Sequence, residues 1–206
     1  HLYKDFLSLP LVNTGCDSYA SWHPEFKHLS PTFETSQLIL DMLKLTPNNH
    51  WMQDNGNDVH LVITGGEPLL IPHVKKIIKK LYEDEVSPAV RLSIITNGTV
   101  PIEPEFLKML LTFKQVIFLV SIDGIEDRFE YIRQGAKWSD VEYNLKQFKQ
   151  IEVNNSNFNL NINYLPMAVN AAQDKDAEAW AKENKITFSK SVEIYRPKYL
   201  TYASLS

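Results

Sequence analysis

Four short stretches carry side chains that could act on a ligand. The apolar run Val59–Thr64 breaks into Gly65, Gly66, Glu67 and Pro68. Paired glycines let the backbone turn sharply and approach a ligand closely, and the Glu67 carboxylate can hold a cationic amine. Asn97 ends the run Val90–Thr96, where it can orient a ligand or cap a turn. Ser121 and Asp123 close the run Val116–Ile122, one side-chain period apart. A strand continuing through both would point them the same way, and a hydroxyl beside a carboxylate suits a ribose diol. Arg133 follows, and its guanidinium can clasp a carboxylate with two parallel hydrogen bonds. Each has a plain structural counterpart: a tight strand–helix turn with a surface glutamate, an Asp–Gly cap, a surface arginine.

These residues need a frame, and the hydrophobic pattern describes one. Apolar runs alternate with helical periodicity from about Val59 to Ile194. Strands are expected at Val59–Thr64, Val90–Thr96, Val116–Ile122, Phe158–Leu165 and Ile186–Tyr195, with an earlier one at Leu7–Val12 and a helix near Phe33–Leu45. Val74, Ile77, Ile78 and Leu81 fall on one helical face, as do Phe106, Met109, Leu110 and Phe113. Pro72 and Pro104 sit where a first helical turn accepts proline. A third stripe runs through Val141, Leu145, Phe148 and Ile151, with Ser139 and Glu142 at capping-box spacing, and an alanine-rich helix is expected at Ala171–Glu183. The first three strands read as continuous apolar runs, which implies cover on both faces. Phe158–Tyr164 instead alternates apolar residues with Asn159, Asn161 and Asn163, a row that fits a barrel interior or a strand with one wet face.

Repeated strand–helix units predict an α/β fold with a parallel sheet. About five or six units make a partial parallel (β/α) barrel or an open doubly wound sheet, and residues 1–206 read as a single domain. In either, side chains at the carboxyl ends of the strands line the ligand-binding rim.

Composition narrows the classes. The net charge of −4 gives no electrostatic reason to expect a nucleic acid or membrane partner. No run reaches membrane-spanning length, no signal peptide opens the chain, and a single cysteine, Cys16, makes no internal disulfide. A cytoplasmic location is expected.

In order along the chain, ITGGEPLL, IITNGT, VSIDG, YIRQG and the WSDVEYNLKQF helix resemble the radical S-adenosylmethionine (radical SAM) superfamily, and most of all its twitch/SPASM branch. Cys16 with the following DSYASW resembles the end of that family's CxxxCxxC loop. The resemblance runs from about Leu7 to Phe148 and more loosely to Tyr195. It implies a partial (β/α) barrel in which three cysteines bind a [4Fe–4S] cluster whose fourth iron chelates S-adenosylmethionine. An electron from the cluster cleaves the sulfonium, and the resulting 5′-deoxyadenosyl radical takes hydrogen from a peptide or small-molecule substrate. It further implies an electron donor. By matching position, Gly65, Gly66 and Glu67, with Pro68 completing the turn, hold the methionine amino group. Ser121 and Asp123 hold the ribose, Arg133 holds the carboxylate, and Cys16 is the third cluster ligand. No residue is singled out as catalytic.

The chain departs from the pattern at Leu9 and Asn13, which stand where the other two cluster cysteines are expected. Leucine cannot ligate iron, and asparagine is a poor substitute for a thiolate. His23 and His28 lie nearby at no usual ligand spacing. The expectation is therefore an enzyme core impaired in its cluster chemistry, its start truncated or mis-translated, and lacking a C-terminal extension. The alternative is a non-catalytic remnant that binds S-adenosylmethionine or a peptide. An ordinary α/β enzyme using Glu67 or Asp123 as general base ranks last, since no histidine partner is evident in the sequence.

Overall fold

The computed structural model describes residues 59–191. Cys16, Leu9, Asn13, His23, His28, the strand expected at Leu7–Val12, the helix near Phe33–Leu45 and the end of the last expected strand lie outside them.

Five strands alternate with helices: β1 (Val59–Ile63), α1 (Pro72–Glu83), β2 (Val90–Thr96), α2 (Pro104–Leu110), β3 (Gln115–Ile122), α3 (Glu126–Ile132), α4 (Trp138–Asn154), β4 (Phe158–Tyr164), α5 (Asp174–Glu183) and β5 (Thr187–Lys190). They form an open parallel sheet in the order β1-β2-β3-β4-β5, the expected partial (β/α) barrel. Two compact units make up the described chain, residues 59–95 with 102–116 and residues 96–101 with 117–191.

In the first unit β1 pairs in parallel with β2, Leu61 opposite Leu92 and Ile63 opposite Ile94. The expected stripe of α1 (Val74, Ile77, Ile78 and Leu81) is buried. Each such side chain contributes roughly 1.5–3 kcal/mol by leaving water. The lysines of α1 form the solvated face, pairing Lys79 with Glu83 and Lys80 with Asp84. Pro72 and Pro104 open α1 and α2, where the missing N–H has no helical partner to lose.

In the second unit the rings of Phe118 on β3, Phe148 on α4 and Phe158 on β4 pack together, with centroids 5.3 and 5.1 Å from Phe118. Trp138 packs edge-on against both Phe129 and Trp180, tying α3, α4 and α5 into one aromatic cluster. β4 pairs in parallel with β5, Ile162 opposite Phe188.

Two expectations are corrected. β3 is not buried evenly: Val116, Phe118, Val120 and Ile122 are fully buried while Gln115, Ile117, Leu119 and Ser121 are half-buried. One face meets the helical layer and the other is less covered, so an apolar run alone does not imply equal cover. β4 repeats this, with Asn159, Asn161 and Asn163 half-buried opposite the buried Phe158, Leu160, Ile162 and Tyr164. The capping box at Ser139 and Glu142 is also absent. The N-cap is Lys137, two residues before Ser139, α4 begins at Trp138, and Glu142 pairs with Lys146 instead. Its first N–H, that of Trp138, donates to Glu130 Oε1 on α3 at 3.1 Å, so a side chain from the preceding helix does the capping.

Candidate binding rim

In the first unit the turn after β1 is shaped by Gly65 and by a hydrogen bond within the turn. Gly65 has φ 139°, a conformation that side-chain-bearing residues rarely adopt. Glu67 is buried, only 7% exposed, not the surface glutamate of the plainer reading. Its Oε1 accepts from the N–H of Leu69 at 3.1 Å and caps a short 3-10 turn, Pro68–Leu70. Pro68 opens that turn, where no N–H is required. A carboxylate taken out of water needs such donors, because its desolvation is otherwise uncompensated.

In the second unit the turn after β2 is closed by Asn97. Its Oδ1 accepts from Thr99 N at 2.9 Å and Thr99 Oγ1 at 2.6 Å, so the turn-capping role is observed directly. Asn144, buried on the inner face of α4, donates from Nδ2 to the Gly98 carbonyl at 2.9 Å.

The rim after β3 brings Asp123 and Arg133 together. Ser121 lies within β3, whereas Asp123 falls just past its last residue, Ile122. Arg133 caps the carboxyl end of α3, and its Nε donates to Asp123 Oδ2 at 2.7 Å. The pair is mostly shielded, the side chains being 25% and 13% exposed. The guanidinium lies 5.9 Å from the centroid of the Phe129 ring. Nε is thus committed to Asp123, and the Nη edge is the part of the fork that can meet a ligand carboxylate. Asp123 Oδ1 remains to accept from a hydroxyl.

The sequence reading missed the groups supporting this rim. Asn170, fully buried, donates from Nδ2 to the carbonyls of Asp123 and Leu165 at 2.9 and 2.8 Å and accepts at Oδ1 from Met167 N at 2.7 Å. Gln173 Oε1 accepts from Ile125 N at 2.9 Å. The available signal was weak: Asn170 interrupts the otherwise apolar run at 167–172, and Asn144 falls three residues after Val141, beside the apolar stripe of α4. A histidine beside a hydroxyl was missed too, since His60 Nε2 lies 2.8 Å from Ser93 Oγ on the neighbouring strand of the first unit.

The donor sets answer differently to the groups that the resemblance implies. In the first unit the Glu67 carboxylate suits an ammonium, and in the second Ser121, Asp123 and Arg133 suit a diol and a carboxylate. A three-thiolate cluster does not fit this chain, whose one cysteine is Cys16. Among the described residues no group of His, Cys, Asp and Glu is arranged to hold a metal ion. No described helix is long and apolar enough to cross a membrane.

A family model described as the radical SAM superfamily matches residues 49–200. A search of curated proteins finds no match. Among solved structures, SuiB of Streptococcus suis bound to S-adenosylmethionine is similar over 84% of this chain and 37% of its own, at 17% identity and a TM-score of 0.54. The anSMEcpe protein with bound AdoMet is similar over 81% of this chain and 44% of its own, at 20% identity and a TM-score of 0.55. The chain therefore spans less than half the length of either structure. At these identities the likeness concerns the fold, while the family match covers most of the sequence. The chain belongs to the radical SAM superfamily.

Proposed function

We propose that this chain is the S-adenosylmethionine-binding core of a radical SAM protein of the twitch/SPASM branch, residues 1–206 forming one core domain. The observation that carries the reading is the shielded Asp123–Arg133 pair at the carboxyl end of β3, a preorganised guanidinium beside a hydroxyl-accepting carboxylate. In this reading Arg133 binds the methionine carboxylate, Ser121 and Asp123 Oδ1 bind the ribose hydroxyls, and Glu67 draws the ammonium. Gly65 and Gly66 let the backbone approach, Pro68 fixes the turn, and Asn97 holds the loop after β2 in shape.

In the family a [4Fe–4S] cluster supplies the electron that cleaves the sulfonium. This chain offers Cys16 alone of the three thiolates, so its cluster-dependent radical chemistry is impaired. The substrate class is a peptide or a small molecule. A peptide is supported by SuiB bound to precursor peptide SuiA and by anSMEcpe with AdoMet and Cp18Cys peptide, both similar in fold. An active form would also need an electron donor. The same single cysteine favours a second reading, a binding remnant that holds S-adenosylmethionine or a peptide without chemistry.

Titration of the chain with S-adenosylmethionine tests the site. Glu67→Gln and Arg133→Ala are each expected to weaken binding about tenfold or more, the loss of one charge-assisted contact. Unchanged affinity in both would remove the assigned site. Anaerobic reconstitution with iron and sulfide separates the two readings. Near four irons per chain, with the absorbance of thiolate-bound iron, makes this chain an enzyme core. Binding of S-adenosylmethionine without iron makes it a remnant.

A further inference from the structure

We propose that Asn170 and Gln173, on the connection between β4 and α5, are positioning residues that hold Asp123 where it can orient Arg133. The inference rests on the reading of that pair as a ligand-binding group, but its physical content is independent of the ligand.

The loop from Asp123 to Glu126 does not hold its own shape. Glu126 adopts φ 51°, in the left-handed region that costs a side-chain-bearing residue on the order of 1 kcal/mol. Such a conformation persists where the surroundings over-determine it. Here they do so from both sides of Gly124. Asn170 Nδ2 holds the carbonyl of Asp123, and Gln173 Oε1 holds the N–H of Ile125. The fit is close, since a Cβ built on Gly124 would meet Gln173 Oε1 at 3.0 Å and Phe129 N at 3.2 Å. A glycine is what lets the loop pass beneath the Gln173 amide.

Asn170 is itself locked. Its Nδ2 faces two carbonyl oxygens and its Oδ1 an N–H, so a flipped amide would set like against like. The Tyr164 hydroxyl donates to the Asn170 carbonyl at 3.1 Å, which fastens the residue to the end of β4. The chain of support therefore runs from β4 through Asn170 to the Asp123 backbone. From there it passes through the Asp123 carboxylate to Arg133 Nε. Loss of either amide would release the backbone that aims the carboxylate, and the guanidinium would follow.

The test compares Gln173→Met, which keeps the length of the side chain but removes the acceptor, with Gln173→Glu, which retains one. Gln173 is half-buried, so both variants are expected to fold. The Arg133 Nε–H is held by a 2.7 Å bond to Asp123, and in a ¹H–¹⁵N correlation spectrum it is expected to exchange slowly. Its exchange is expected to accelerate about tenfold or more in Gln173→Met and to stay near the parent rate in Gln173→Glu. Asn170→Asp, which sets a carboxylate oxygen against the Asp123 carbonyl, is expected to give the same acceleration. A merely structural role would lower thermal stability and leave the Arg133 signal unmoved, and that result overturns the proposal. Equal rates in Gln173→Met and Gln173→Glu overturn it as well. If the Arg133 signal responds as expected while the parent chain fails to bind S-adenosylmethionine, the positioning role stands and the ligand reading falls.

Discussion

In the turn after β1, the Glu67 carboxylate takes a hydrogen bond from Leu69, two residues away. At the rim after β3, the Asp123 carbonyl and the Ile125 N–H are held by side chains 47 and 48 residues further along. Each arrangement fixes a carboxylate near the end of a strand. The first includes a hydrogen bond between close neighbours in sequence. The second requires β4 and its following connection to be in place, so the chain-ordering entropy must be met before the carboxylate is aimed. The second carboxylate therefore depends on the packing of its whole unit.

Substitutions can break this contrast. The largest effect is expected from Asn170→Ala, which removes a fully buried amide and with it the hydrogen bonds to the buried Asp123 carbonyl, the buried Met167 N–H and the part-buried Leu165 carbonyl. At about 1–3 kcal/mol for a buried unsatisfied group, a loss of roughly 3 kcal/mol or more should appear in chemical denaturation. A loss below about 1 kcal/mol would show that water or a shifted side chain replaces the amide. Next comes Gly124→Ala, where the added methyl crowds Gln173 Oε1 and Phe129 N and should cost about 1–3 kcal/mol.

The local turn should respond less. Glu67→Gln keeps an oxygen that can accept from Leu69 N. It should change stability by less than about 1 kcal/mol while still weakening ligand binding. A stability loss as large as that of Asn170→Ala would erase the contrast between the two turns.

The smallest effect concerns Glu130, whose carboxylate is held below its ordinary range first by the hydrogen bond from Lys137 and then by that from Trp138 N. Its folded-state pKa lies below the unfolded value. The stability it lends to the start of α4 is therefore present above the unfolded value and lost as pH falls through the folded one. The stability difference between the parent chain and Glu130→Gln should shrink across that acidic window. A difference that is flat with pH would show that the exposed pair contributes nothing measurable.

The same contrast explains what the sequence revealed. Helical stripes such as Val74, Ile77, Ile78 and Leu81 were legible because burial repeats with the helical period, and Pro72 and Pro104 because proline marks a first turn. The Gly65–Pro68 turn was legible for the same local reason, although the burial of Glu67 was not. The partnership of Asp123 with Arg133 needed the path of α3, and the roles of Asn170, Gln173 and Asn144 needed tertiary placement. Their partners have no periodic relation to them. The capping of α4 was misplaced because its partner, Glu130, comes from another helix. Asymmetric cover of β3 escaped because an apolar side chain does not record how deeply its face is buried.

The most direct test of the account is a binding cycle that pairs the parent chain and Arg133→Ala with S-adenosylmethionine and its decarboxylated analogue. Removing the ligand carboxylate should weaken binding to the parent chain about tenfold or more. The same removal should make little difference to Arg133→Ala, because the partner group is already gone. Equal losses in both proteins would mean that Arg133 does not hold the carboxylate, and would contradict the assignment of the rim.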